Sequence, residues 1–216
     1  MRGRSPLASR HAAGSLRGDN FTRELRARIA IDAARLISES GLRDYRVAAR
    51  KAAQRLGVED DFALPKADEI EAALRAHQQL FEADEHPLLL RRLRETAREA
   101  MRFLIAFEPR LVGAVLEGTA DRHSAVCLHL FSDDPDAPAR FLDENGIACE
   151  SKSRRLRLTN ESYEEFPVLL FVVDATPLDL TVLPYDSLRH APLDRTHQRP
   201  MHRATLAALE ELLKQA

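Results

Sequence analysis

The stretch LVGAVLEGTADRHSAVCLHLF, Leu111 to Phe131, places two apolar runs on either side of a turn that holds Gly113, Gly118, Thr119 and Ser124. If Ser124 to Phe131 is a strand, side chains alternate between its faces, so Val126, Leu128 and Leu130 share one and Ala125, Cys127 and His129 the other. The first set is apolar and is expected in the core. The second set would look toward the glycine turn, where backbone amides can approach a phosphate because Gly113 and Gly118 carry no side chain.

Before this stretch the pattern is helical. From Phe21 to Ser40, Leu25, Ile29, Ala33, Leu36 and Ile37 form one stripe at the helical period, and Gly41 suits the position just past the end. A second helix is expected from Arg43 to about Leu56, with Val47, Ala48, Ala52 and Leu56 on its apolar side and Gly57 closing it. A third opens with Asp68 followed by Glu71, a capping-box spacing, ahead of Ile70, Leu74, His77 and Phe81. The fourth begins at Pro87 and carries Leu89, Leu93, Ala97, Met101 and Leu104 until Pro109 forbids continuation.

After Pro109 the period changes. The segments RLVGAVL, SAVCLHLF, GIACE, RRLRLT, FPVLLFVVD and LDLTVLP are short, alternating or β-branched, and bounded by Gly, Pro, Asp and Asn. Between the second and third of them, Pro135 starts a short helix that Gly146 ends. An amphipathic helix near Met201 to Gln215 closes the chain. The fold class is therefore α+β, a mixed α/β arrangement. A tail expected to be disordered spans residues 1–19, a helical region 20–108, and a mixed sheet with flanking helices 109–216.

Bulk properties narrow the function classes. With 216 residues no disulfide or structural metal is required to stabilise a core, and a formal charge of -2 at 31% charged residues favours neither nucleic acid nor a membrane surface. Apolar runs such as Phe166 to Val173 fall far short of the roughly 18 residues a membrane span needs. The start, MRGRSPLASRHAAGSLRGD, has no apolar stretch of signal-peptide length. Cys127 and Cys149 lie in apolar runs, as reduced thiols do, which points to the cytoplasm.

The order Gly113, a small residue, Gly118-Thr119-Ala120, Ser124 and an alternating strand resembles the signature of the nucleotidyltransferase superfamily, the DNA polymerase β-like or minimal nucleotidyltransferase fold. The resemblance spans about twenty residues and extends loosely, by strand order, to Pro184; the helical region lies outside it. In that family the pattern is Gly-Ser, a turn, Ser-Asp-x-Asp and a third Asp on a later strand. The carboxylates hold two magnesium ions that clamp a nucleoside triphosphate. Carried over residue by residue, Gly113 keeps the first glycine, Ala114 replaces the serine, and Ala125 and Cys127 stand where the paired carboxylates belong. Asp179 in TPLDLTVLP is the retained counterpart of the third. Magnesium takes oxygen ligands, so the resemblance implies a degenerate relative that binds a nucleotide or a protein through Gly113, Ala114, Gly118, Thr119 and Ser124.

Other expectations follow from the same residues. An active transferase using a magnesium nucleotide would need Glu117 or Asp121 drawn in beside Asp179. Cys127 and His129, with His123 and Asp179, compose a candidate zinc site, since thiolate selects softer metals. Asp133, Asp134 and Asp136, in the company of Pro135 and Pro138, read as a solvated loop and helix start. Arg154, Arg155 and Arg157 alternate with Leu156 and Leu158, and such a face is either solvated or in contact with phosphate. Residues 24–58 are similar to the start of tetracycline-repressor-type regulators, which implies a DNA-binding helix bearing Arg50, Lys51 and Arg55. The acidic Glu59-Asp60-Asp61 that follows would repel phosphates.

Overall fold

The computed structural model describes residues 8–42, 44–58, 61–81, 85–159, 162–194 and 199–215, with backbone alone for 8–20, 61 and 81. It divides into two compact units, Met1–Phe81 and Glu82–Ala216. The sequence pattern put that boundary at residue 109, where the period changes. The fourth helix nonetheless belongs with the sheet, because Leu93, Ala97, Met101 and Leu104 are buried in the sheet core.

The first unit consists of α1 (Ala8–Ser40), α2 (Tyr45–Arg55) and α3 (Ala67–Phe81) around Ile29, Ala33, Leu36, Ile37, Ala48, Ala52, Ile70 and Leu74. Backbone of α1 runs through residues 8–19 of the expected tail, and residues 1–7 lie outside the described residues. Asp44 caps α2, its Oδ1 accepting from the amides of Arg46 at 2.9 Å and Val47 at 3.1 Å. Gly57 closes α2 in a left-handed conformation at φ 70°, and the Val58 amide reaches back to the Ala53 carbonyl at 2.9 Å. The apolar side of α2 is narrower than its sequence suggests: Val47 and Leu56 are exposed, and four alanines form the buried stripe. The box at the start of α3 is also displaced, since Glu69 accepts from the Lys66 amide at 2.7 Å while Glu71 pairs with Arg75 one turn on. Lys66 immediately precedes the first helical residue, so Glu69 is the side chain three positions along.

In the second unit α4 (Glu85–Phe103) precedes β1 (Arg110–Val112), α5 (Ala114–Glu117), β2 (Val126–Phe131), α6 (Ala137–Glu144), β3 (Glu150–Arg157), β4 (Tyr163–Val173), β5 (Thr176–Leu183) and α7 (Leu206–Gln215). The sheet order is β1-β2-β5-β4-β3, antiparallel except for the β2 and β5 pair. This is the α+β class read from the sequence.

Three segments differ from the sequence pattern. The run RLVGAVL is a strand only to Val112, because the chain turns at Gly113 into α5. GIACE enters the sheet only at Glu150. Gly146 ends α6 there at φ 72°, the Ile147 amide returns to the Leu142 carbonyl at 2.9 Å, and Ile147 and Cys149 pack on the core as loop residues. The last helix starts at Leu206 rather than Met201, because Ala204 exchanges both backbone hydrogen bonds with Leu111, each at 2.9 Å, on the free edge of β1.

The two faces of the sheet are chemically unlike. Val126, Leu128 and Leu130 of β2, with Leu178, Leu180 and Val182 of β5, are buried in one cluster with residues of α4, α5, α6 and α7. On the other face, Phe131, Leu156, Phe166 and Leu183 form a smaller cluster at the carboxyl ends of β2 and β5. Toward the amino ends, that face carries polar side chains instead.

Candidate functional site

Strand register assembles this polar patch. Cys127 pairs with Asp179 across β2 and β5, His129 pairs with Thr181, and on the opposite side of β2 Cys127 pairs with Val112. Gly113 follows Val112, and a Cβ placed on it would lie 3.9 Å from the Cβ of Cys127. Gly113, Cys127, His129 and Asp179, widely separated in the chain, are thus neighbours on one face. Ala125, two residues before Cys127, adds no ligand atom.

Asp179 is engaged. From β3, two strands away, Arg154 reaches across β4 and grips the carboxylate with both terminal nitrogens, Nη1 to Oδ1 at 3.0 Å and Nη2 to Oδ2 at 2.6 Å. Nη1 also donates to the Thr181 hydroxyl at 3.0 Å. A planar fork against a carboxylate is the strongest geometry this pairing has. The Asp179 hydrogen bond raises the Arg154 pKa above its ordinary value, so the guanidinium stays charged.

His129 lies beside this pair and is 3% exposed. Its Nδ1 has no hydrogen-bond partner among the described residues. Burial, together with the guanidinium charges of Arg203 and Arg154, lowers its pKa to about 3, so the ring is neutral at physiological pH. Arg203 itself sits 5.5 Å above the Phe131 ring and donates to the carbonyls of Ser187 at 2.8 Å and Leu188 at 3.0 Å. Those bonds tie the turn after β5 to the segment ahead of α7. Arg110 pairs with His129 from β1 and holds Glu108.

The rest of the expected phosphate cradle is elsewhere. Gly118 ends α5 at φ 79°, packed against Arg94 and Leu90 of α4. The amides of Glu117, Gly118 and Thr119 already donate to the carbonyls of Gly113 and Ala114, so they are not free to bind an anion. Ser124 is a local staple, its Oγ accepting from the Asp121 amide at 2.9 Å and donating to the Asp121 carboxylate at 3.0 Å. Asp121 is therefore held in the turn. A clamp invisible in the sequence fixes this turn: buried Arg94 donates to the carbonyls of Val115 and Leu116, and His86 bonds the carbonyl of Ala120.

The metal readings meet the same geometry. Among the described residues, no group of three or more His, Cys, Asp or Glu side chains is placed to hold a metal ion. His123 is exposed and its Nε2 accepts from Arg122 at 3.2 Å. Asp134 pairs with Arg140, and Asp133 accepts from the Tyr185 amide, both on the exposed surface. Arg155 and Arg157 stack on Tyr163, whereas Arg154 alternates to the opposite face with Asp179. In the first unit Arg50, Lys51 and Arg55 of α2 are exposed; Glu59 and Asp60, and the side chain of Asp61, lie outside the described residues.

Gly113 is the one position in the patch that backbone geometry restricts to glycine. Its φ of 72° with ψ of -157° falls in a region that side chains essentially exclude, although a Cβ would find ordinary room. Gly113→Ala is therefore expected to destabilise the sheet unit by about 2 kcal/mol through backbone strain alone. Gly146→Ala, at an exposed helix end, is expected to cost about 1 kcal/mol. Urea midpoints of the two variants check the ranking; an equal loss would show that the turn at Gly113 relaxes.

No helix among the described residues is long and apolar enough to cross a membrane. Cys127 and Cys149 are not joined in a disulfide. Comparison with known families and with curated proteins returns no match for this chain.

Proposed function

We propose that this chain is a nucleotidyltransferase-like protein of the cytoplasm that binds a nucleotide without transferring it. The observation that carries this reading is the Arg154–Asp179 pair. Asp179, the acidic side chain in register with Cys127, has both oxygens engaged by a guanidinium, with Cys127 and Ala125 where further carboxylates would be required. A two-magnesium clamp needs several oxygen ligands at once, and Glu117 and Asp121 belong to the turn rather than to this face.

Three further features support the reading. A strand, a turn and a second strand follow one another in the order the resemblance implies, and the strand bearing Asp179 lies parallel to β2 beside it. The glycine that opens the turn adopts a conformation only glycine takes readily. The guanidiniums of Arg154 and Arg203 both act on the buried His129 of this patch, and cations of that kind are what a phosphate contacts.

Purified protein incubated with magnesium and labelled nucleoside triphosphates is expected to label neither itself nor a lysate. Magnesium-dependent transfer abolished by Asp179→Ala would overturn the proposal of a noncatalytic site. Stabilisation in a thermal-shift series by nucleotides, and not by zinc or short duplex DNA, is the expected positive result.

A further inference from the structure

The clue is what Arg154 leaves unused. A guanidinium has five N–H donors in a fixed plane. Both on Nη1 are engaged, by Asp179 Oδ1 and Thr181 Oγ1, and one on Nη2 is engaged by Asp179 Oδ2. The second Nη2 hydrogen and the Nε hydrogen have no partner among the described residues. The arginine side chain is 34% exposed, against 15% for Asp179, so the cation opens outward while its carboxylate lies behind it. Next to it sits the buried Nδ1 of His129, also without a partner among the described residues. Arg203 adds a second guanidinium near this ring, and Asp179 is the acid that faces them.

We propose, resting on the nucleotide-binding reading above, that this face binds a phosphoryl group directly on Arg154, with the guanidinium doing the work of a divalent cation so that binding needs no metal. Asp179 is then a positioning residue. It holds the fork rigid across β4 and does not ligate an ion. A metal entering here would have to break a two-bonded pair before gaining its first oxygen, whereas a phosphate finds donors already aimed and charged. His129, neutral beside two cations, supplies a polar edge without adding a competing charge.

This assignment gives Asp179 and Arg154 opposite behaviour on substitution, which a metal site would not. In isothermal titration of the full chain with ATP and with inorganic pyrophosphate, affinity in excess EDTA is expected to stay within about threefold of that in magnesium, because charge-assisted hydrogen bonds carry it. Arg154→Gln is expected to weaken binding at least about tenfold, the scale of a lost charged contact. Asp179→Asn, which keeps one acceptor oxygen for Arg154 alongside the Thr181 bond and removes a negative charge from beside the anion, is expected to bind equally well or a few-fold tighter.

Binding that requires magnesium, or that Asp179→Asn abolishes, overturns the guanidinium site and leaves nucleotide binding standing. Binding of pyrophosphate without ATP supports the guanidinium site and overturns the nucleotide reading. No binding of either probe with or without magnesium overturns both. Should Arg154→Gln fail to fold by circular dichroism, the EDTA comparison and Asp179→Asn decide the matter.

Discussion

Leu128→Ala is expected to lower the stability of the sheet unit by about 3 to 5 kcal/mol, the upper part of the range for truncating a buried leucine. Leu128 is fully buried at the middle of β2. It is flanked by β1 at Leu111 and β5 at Leu180, both fully buried as well, so its cavity has no mobile neighbour to collapse into it. A domain's whole stability is only about 5 to 15 kcal/mol, so the loss is a large fraction of it. Cys127→Ala, one residue away on the polar face, is expected to cost less than about 1 kcal/mol. Hydrogen exchange of β2 and β5 amides distinguishes the two. Comparable losses would mean that β2 is registered differently, since a slip of one residue exchanges its faces.

The second large effect is on pH dependence. His129 has a folded-state pKa near 3 against an ordinary 6.5, so below pH 6.5 the unfolded chain takes up a proton that the folded chain refuses. Stability contributed by the neutral ring is therefore complete above pH 6.5 and declines as the pH falls toward 3. The slope is at most about 1.4 kcal/mol per pH unit. Between pH 7.5 and 4.5 the wild type is expected to lose about 2 to 3 kcal/mol more than His129→Asn. The difference between the two proteins isolates this ring from carboxylates that titrate lower. Parallel pH profiles would show that the imidazole is solvated and that the Arg154 and Arg203 charges do not reach it.

Such a ring shows how unevenly the site could be read in the chain. Alternation alone placed Val126, Leu128 and Leu130 in the core and His129 with Cys127 on the other face, because a strand permits no other arrangement once one face is apolar. The glycine at 113 marked a turn. Nothing in that periodicity marked Arg154 as the partner of Asp179. The two are 25 residues apart, and their contact depends on β4 lying between β3 and β5 with a particular register. Arg154, Arg155 and Arg157 look alike in the sequence, and the pleat sends the first to the site and the others to Tyr163. Gly118, Thr119 and Ser124 show the converse: local motif spacing suggested a cradle, but the amides of Gly118 and Thr119 and the hydroxyl of Ser124 are engaged within their own turn.

By itself, then, the amino-acid sequence determined the α+β class, most helix stops, the apolar face of β2 and the absence of carboxylates at Ala125 and Cys127. These depend on side-chain periodicity and backbone preference over a few residues. Only the tertiary structure decided that α4 joins the sheet unit, that Gly118 turns toward α4, and that Asp179 is held by a guanidinium. Each of those is set by long-range pairing, where the energy lies in which surfaces meet, and a local pattern of residues carries no record of its partner.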